Sequence, residues 1–284
     1  MAPEATGLND FSPSDLRAPF VLLNDRLTPG GGGRLYTDPR AVIRCDDPDR
    51  LDQAFRDIER GLADGPHAAG LFSYELGYGL EPKLAPLMPR ARSDPLVWMG
   101  LFEARRTISA DTLDYYFASL APPPPISRVR GGLSRDEHID KVDRILRLIA
   151  AGDAYQVNLT FPLSVHYGED PLRLYAALRS RQPVAHGGVA AFGCATVLSV
   201  SPELWVEVVD GIATTRPMKA TSPRRDDPAG DHVARDTLAV DPKQRAENLM
   251  IVDLMRNDLG RISTPGSVPV PDLFTVDTYR AFTP

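Results

Sequence analysis

Residues 201–221 read SPELWVEVVDGIATTRPMKAT, and this stretch is the strongest indication of the fold class. Asp210-Gly211 is a signal for a tight hairpin turn, and it joins an apolar segment that ends at Val209 to a second segment, Ile212–Thr215. A hairpin predicts two antiparallel strands. Because helices and strands elsewhere in the chain do not alternate in a simple βαβ series, we predict an α+β fold with a large, mainly antiparallel sheet.

The same hairpin brings Glu203 and Lys219 to one end of a two-stranded ribbon. A carboxylate and an amine placed there form either a plain surface ion pair, worth ~0–1 kcal/mol, or a catalytic pair. In the second interpretation Glu203 is a general acid and Lys219 is a nucleophile. A lysine amine becomes nucleophilic when desolvation or a nearby cation lowers its pKa, and Arg216 is such a cation. The spacing alone leaves both interpretations open.

Capping residues predict the helices of the second half of the chain. Helices are expected to begin after three residues whose side chains cap a helix N-terminus: Ser134, Asp170 and Asp241. Glu137 completes a capping box with Ser134. The polar, proline-containing segment Ser222–Asp231 predicts a loop, and Ser267–Thr278 predicts two short strands.

A proline-rich segment suggests how the chain is divided. Residues 121–125 read APPPP, which fits neither a helix nor a central strand. We therefore predict an N-terminal subdomain over residues 16–121, a linker over 122–129 and a second unit over 130–284.

Composition excludes several classes of protein. The chain of 284 residues has 32 Lys+Arg against 38 Asp+Glu, a net charge of −6, which argues against a nucleic-acid binder and against anchoring to an anionic membrane. No apolar run approaches the roughly 18 residues that a membrane span requires, and no secretory signal is evident. Cys45 and Cys194 fit neither a disulfide framework nor a metal site, so a cytoplasmic protein is expected.

The segment 152–160, GDAYQVNLT, predicts a strand that directly follows a helix. Alternation along a strand would put Gln156, Asn158 and Thr160 on one face. Such a polar face is either solvated or forms the hydrogen-bonding wall of a pocket.

The helix over residues 243–258 is apolar nearly all round, which predicts burial. Glu247 lies at the start of its apolar run. An acid at the edge of a buried helix is often a paired residue, and it is also a plausible Mg²⁺ ligand, because Mg²⁺ binds few carboxylates and keeps its waters.

Taken in order, the motifs GDAYQVNLT, SPELW, TTRPMKAT and AENLMIVDLMRNDLGRI with PGSVPVPDLF resemble those of the chorismate-utilising enzymes. The resemblance is closest to aminodeoxychorismate synthase component I. It covers roughly residues 130–284, and GLFSYELGYGLEP in the first half also resembles that family. It implies a β-sandwich with outer helices that is incomplete at the C-terminus.

The resemblance also implies roles for five residues. Lys219 matches the lysine that attacks the chorismate ring and forms a covalent intermediate, and Glu203 matches the general acid that assists departure of the hydroxyl group. Glu247 matches a ligand of Mg²⁺, the implied cofactor, and Thr221 lines the substrate site. Gln156 lies where family members that add water carry a base lysine. A glutamine abstracts no proton near neutral pH, which fits an enzyme that uses ammonia.

A glutamine amidotransferase partner is expected to supply the ammonia, because the chain has no glutaminase Cys-His signature. The implied product is 4-amino-4-deoxychorismate, in the folate and para-aminobenzoate pathway. Anthranilate synthase component I is the alternative, although that family has a small residue in place of Lys219. The family pattern is also broken at Ala220, where glycine is usual, and at Gln244, where a second acid is common.

The family continues well beyond Pro284, and its PGGSITGAPK-like loop, substrate-gripping arginine and remaining Mg²⁺ glutamates have no counterpart here. The resemblance therefore predicts a truncated chain that is inactive alone, or a catalytically inactive binding module.

Overall fold

The computed structural model describes residues 11–63 and 65–279 and the backbone of residues 282–283. The strands are β1 Phe20–Asn24, β2 Gly32–Thr37, β3 Ala41–Cys45, β4 His67–Phe72, β5 Val97–Phe102, β6 Arg106–Ser109, β7 Ser127–Gly131, β8 Leu163–His166, β9 His186–Ala191, β10 Thr196–Ser201, β11 Leu204–Val209, β12 Ile212–Arg216, β13 Ser222–Pro223 and β14 Phe282–Thr283. The α-helices are α1 Leu51–Ala63, α2 Leu76–Leu80, α3 Ala110–Ser119, α4 Arg135–Ala151, α5 Pro171–Arg181, α6 Pro228–Val240 and α7 Pro242–Gly260.

A five-stranded antiparallel sheet with the order β10-β9-β1-β2-β6 forms the largest layer. One of its faces packs against α3 and α5 through a cluster of buried side chains that includes Leu22, Leu35, Leu113 and Tyr175. Burial of each such large apolar side chain contributes about 1.5–3 kcal/mol. The hydrophobic contact therefore stabilises the packing of α3 and α5 against this face of the sheet.

A three-stranded antiparallel sheet with the order β3-β5-β4 packs against the other face. Every residue of its central strand β5 is buried. Val21 and Tyr36 of the larger sheet meet Trp98 and Phe102 of β5 in one buried cluster. The two sheets form a sandwich with helices outside, which confirms the predicted α+β, mainly antiparallel class.

The larger sheet joins sequence regions that the predicted division would separate. Strands β1, β2 and β6 lie in residues 16–121, whereas β9 and β10 lie in 130–284, and β1 pairs directly with β9. The linker predicted over 122–129 is irregular up to residue 126, and β7 begins within it. The division into two units stays a prediction, and the five-stranded sheet contains strands from both of the predicted units.

Three predictions about local structure are wrong. The segment 153–162 forms no strand, because no neighbouring strand in the described part offers it a ladder of hydrogen bonds. The predicted loop 222–231 contains β13 and the first turn of α6, which begins because the Asp227 side chain accepts from the Gly230 amide and Pro228 takes the first helical position. No strand forms in 267–278, where alternate prolines cannot donate to a ladder.

The helix over residues 242–260 is also less buried than its apolar composition predicts. None of the residues of α4, α6 or α7 is fully buried, and Leu249 and Leu254 of α7 are 44% and 53% exposed. None of the described helices combines the length and the apolar character needed to cross a lipid bilayer.

We expect the 284-residue chain alone to self-associate, because large apolar side chains are exposed on the hairpin β11–β12. Trp205 is 73% exposed and Ile212 is 70% exposed. Exposed apolar patches of this kind drive association. Light scattering coupled to size exclusion should detect oligomers, and a Trp205→Ser/Ile212→Thr variant should shift the distribution toward monomer. A monodisperse wild-type monomer at high concentration would contradict the expectation.

Candidate active site

The hairpin β11–β12 places Glu203 and Lys219 at the same end of one ribbon. Its turn lies at Asp210-Gly211, where both residues adopt positive φ angles. Leu204 pairs with Arg216 at the open end, directly after Glu203 and shortly before Lys219. The position expected from the sequence is therefore found in the structure.

A hydrogen bond ties Glu203 to the loop that carries Lys219. The Met218 amide donates to Glu203 Oε1 at 3.3 Å, and Met218 is the residue that precedes Lys219. The Glu203 amide in turn donates to Ser201 Oγ at 3.3 Å. Glu203 is exposed and Lys219 is half-buried. The carboxyl group of Glu203 is thus joined by a hydrogen bond to the backbone directly before the amine-bearing Lys219.

Arg216 is directed to a carboxylate, which changes its expected role. Its Nη2 atom lies 3.3 Å from Asp277 Oδ2. The sequence suggested Arg216 as a cation that would activate Lys219. In the structure its charge is paired with Asp277, so it contributes less to the potential around the amine than an unpaired cation would.

A cleft of about 280 Å³ opens beside the base of the hairpin. Its lining includes Pro202 and Met218, the neighbours of Glu203 and Lys219, although those two residues themselves do not line it. Leu27 and Tyr279 form part of its apolar wall. The cleft therefore lies against the backbone of the candidate catalytic residues.

Ala220 holds the backbone next to Lys219 in a left-handed conformation, with a φ of 68°. A residue with a Cβ atom pays about 1–2 kcal/mol for this conformation, whereas glycine adopts it freely. Glycine is also the residue that the family pattern predicts here. Ala220 therefore keeps a backbone geometry that suits the usual glycine.

We expect Ala220→Gly to raise the free energy of unfolding by about 0.5 kcal/mol, since relief of strain exceeds the added entropy of the unfolded chain. Ala213→Gly is the matched control, because Ala213 lies in β12 outside the left-handed region. That change should lower the stability by about 0.5–1 kcal/mol. Thermal unfolding measures both, and equal losses for the two variants would contradict the strain at Ala220.

Gln156 and Thr221 are not joined to this pair by hydrogen bonds. Both side chains are exposed, and Gln156 lies in the irregular segment between α4 and β8. Within the described residues neither side chain forms a hydrogen bond with Glu203 or Lys219. Thr221 is nevertheless only two residues from Lys219. Their roles in substrate binding stay predictions.

Glu247 lies on the second turn of α7, where its side chain is 30% exposed. Its nearest cation is Lys243 Nζ, at 4.0 Å on the same helix. Among the described residues no three His, Cys, Asp or Glu side chains lie close enough together to hold a metal ion. These residues offer Mg²⁺ one carboxylate and do not complete a site.

Local sequence patterns did not predict Asp277, Tyr279 and Arg224, which also contact this region. Tyr279 Oη donates to the Pro202 carbonyl at 3.4 Å, and Arg224 Nη1 donates to the Tyr279 carbonyl at 2.7 Å. These contacts join positions 77 and 55 residues apart. No local pattern signals such distant pairs.

Comparisons with known proteins identify the family of the chain. A family model described as chorismate binding enzyme matches residues 19–282. Aminodeoxychorismate synthase component 1 of Klebsiella aerogenes is 36% identical over 235 residues, which cover 75% of this chain and 51% of that protein. Anthranilate synthase component 1 of Pseudomonas putida is 37% identical over 150 residues, which cover 53% of this chain and 30% of that protein. The chain thus spans about half the length of the first relative and less of the second.

The fold also has a counterpart among solved structures. A 2,3-dihydroxybenzoate-specific isochorismate synthase of Bacillus anthracis aligns with a TM-score of 0.69 at 16% identity, covering 95% of this chain and 67% of that chain. At this identity the likeness shows the fold alone. The family match extends over nearly the whole chain, and from it we conclude that the chain belongs to the family of chorismate-binding enzymes.

Proposed function

We propose that the protein to which this chain belongs is an aminodeoxychorismate synthase, which converts chorismate and ammonia to 4-amino-4-deoxychorismate. The hydrogen bond from the Met218 amide to Glu203 Oε1, at 3.3 Å, is the observation that carries the proposal. It joins Glu203 to the backbone of the residue that precedes Lys219. An acid and a lysine are the pair needed to expel a hydroxyl group and to form a bond to the ring.

In the proposed reaction the neutral Lys219 amine attacks the chorismate ring, and a shift of ring double bonds expels the hydroxyl group. Glu203 donates its proton to that group, which leaves as water. Ammonia then forms a bond at the carbon that lost the hydroxyl group, and the C–N bond to Lys219 breaks as the double bonds shift back. The added ammonium gives up a proton, which restores the acid form of Glu203. The net change is chorismate plus ammonia to aminodeoxychorismate plus water.

A partner and a metal ion complete the proposal. The name "component 1" of the Klebsiella aerogenes relative implies a second component there, and we extend this to a glutamine amidotransferase that supplies ammonia here. Glu247 is the proposed Mg²⁺ ligand. Because the described residues do not complete a metal site, no step of the mechanism runs through the ion. We place the reaction in the folate pathway and in the cytoplasm, where Cys45 and Cys194 would stay as the free thiols found here.

Anthranilate synthesis is the second candidate, because the Pseudomonas putida relative has a similar identity over its matched region. Lys219 favours the first candidate, since direct attack by ammonia needs no lysine. A third possibility is a binding module without activity. The natural full-length protein incubated with chorismate, Mg²⁺ and ammonium, followed by chromatography of the product, separates the three. Aminodeoxychorismate supports the proposal, whereas anthranilate or the absence of turnover contradicts it.

A further inference from the structure

Two arginines flank the loop that carries Lys219, and both contact the same short segment near the end of the described chain. Arg216 precedes the loop and lies 3.3 Å from Asp277 Oδ2. Arg224 follows the loop, and its Nη1 atom donates to the Tyr279 carbonyl at 2.7 Å. The segment Asp277–Tyr279 thus holds both ends of the loop 217–223.

The side chain of Tyr279 extends this contact to the strand that carries Glu203. Its Oη atom donates to the carbonyl of Pro202, which immediately precedes Glu203, at 3.4 Å. Tyr279 is only 7% exposed. Burial raises the pKa of its phenol above the ordinary value, so the group keeps the hydrogen that it donates at neutral pH. One residue therefore contacts the backbone beside the proposed acid and the arginine after the proposed nucleophile.

Arg224 is also fixed from its other side. Its Nε atom lies 2.9 Å from both carboxylate oxygens of Asp231, in the first turn of α6. Hydrogen bonds from Arg224 and from the Arg225 amide lower the pKa of Asp231, which is therefore ionised at neutral pH. A movement of Arg224 away from the Tyr279 carbonyl would therefore also disturb its charge-assisted contact with Asp231 of α6.

We propose that Asp277 and Tyr279 are positioning residues, which set the register between Glu203 and Lys219 by holding the flanking arginines. This inference rests on the proposed function, because it assigns importance to that register. The bond from the Met218 amide to Glu203 Oε1 joins Glu203 to the loop that carries Lys219, and at 3.3 Å it is long. The clamp formed by Asp277, Tyr279, Arg216 and Arg224 keeps that bond within reach.

The test measures the environment of Lys219 directly and does not require turnover. In the natural full-length protein, acetic anhydride labels the lysine amines, and peptide mass spectrometry gives the labelling rate of Lys219 relative to exposed Lys141 on α4. Arg216→Asp and Asp277→Arg break the ion pair one residue at a time, and the double variant restores it with the charges exchanged. Each single change should alter the labelling rate of Lys219 relative to Lys141 by about fivefold. This factor is equivalent to ~1 kcal/mol, the scale of such an ion pair. The double variant should return toward the wild-type rate.

Turnover provides a second readout. Loss of register should lower kcat more than it raises KM for chorismate, because the proposed role of the clamp is to align the reacting pair. Tyr279→Phe, which removes one hydroxyl group, should lower kcat in the same way and serves if a charge reversal prevents folding. Unchanged Lys219 labelling in the single variants and unchanged kcat in Tyr279→Phe would overturn the clamp. Labelling that changes in the single variants and returns in the double variant, while the wild-type protein makes no aminodeoxychorismate, would uphold the clamp and refute the proposed function.

Discussion

Replacing Lys219 with alanine is expected to lower kcat for aminodeoxychorismate formation by roughly 10³-fold or more, the scale of loss seen when a covalent nucleophile is removed. We expect Glu203 not to replace the missing amine, because its proposed role is to act as the carboxylic acid that protonates the leaving group. The measurement is steady-state kinetics on the natural full-length protein with chorismate, Mg²⁺ and ammonium. Using ammonium removes any dependence on an amidotransferase partner.

Lys141→Ala is the matched control for this experiment. Lys141 is an exposed lysine in the middle of α4, so removing its charge should leave kcat within about twofold of wild type. If Lys219→Ala kept the wild-type rate, ammonia would have to attack the ring without a lysine intermediate. That result would favour the route proposed for enzymes with a small residue at this position.

Replacing Phe102 with alanine should destabilise the fold by about 3–5 kcal/mol, the typical cost of truncating a buried phenylalanine. Phe102 is 0% exposed and belongs to the cluster that joins the two sheets. Its ring lies 5.5 Å from that of Tyr36, across the sandwich. Differential scanning calorimetry should show a melting temperature about 6–20 °C lower, at ~2–4 °C per kcal/mol for a domain of this size.

Phe72 provides the control, since it lies on the neighbouring strand β4 and is 44% exposed. Phe72→Ala removes the same atoms from a side chain that is already partly in contact with water. We therefore expect it to lower the free energy of unfolding by less than about half as much as Phe102→Ala does. Equal losses for the two variants would show that the cluster between the sheets does not hold the sandwich together.

Local signals predicted the elements whose determinants lie close together in the chain. The capping box of Ser134 and Glu137 forms as expected, and α4 ends at Gly152 with a left-handed φ of 82°. The turn at Asp210-Gly211 joins β11 to β12. In each case a few neighbouring residues supply the hydrogen bonds or the backbone conformation that begin or end the element.

Elements that depend on distant partners were beyond such reasoning. The pairing of β1 with β9 joins Leu22 to Val189, and nothing near either residue indicates the other. The segment 152–160 has an alternating pattern but no strand beside it in the described part, so the pattern does not produce a strand. A strand needs a neighbour, which only the tertiary fold supplies.

The candidate site likewise contains some features that local sequence predicts and others that depend on distant residues. The hairpin turn predicted that Glu203 and Lys219 lie at one end of a ribbon, because both flank the same local element. Asp277 and Tyr279 were missed because their contacts span 61 and 77 residues. The role of Thr221 came from the family resemblance alone, whereas Gln156 and Glu247 were also candidates from the local pattern, and all three roles stay predictions.

The covalent step is tested most directly by mass spectrometry of the natural full-length protein, mixed with chorismate and Mg²⁺ in the absence of ammonia and quenched in acid. The peptide that contains Lys219 should gain the mass of chorismate less water, and this adduct should disappear when ammonium is added before the quench. The Lys219→Ala protein should show no adduct anywhere. A protein that forms aminodeoxychorismate from ammonium, yet carries no adduct on Lys219 or carries one on another residue, would contradict the covalent role of Lys219.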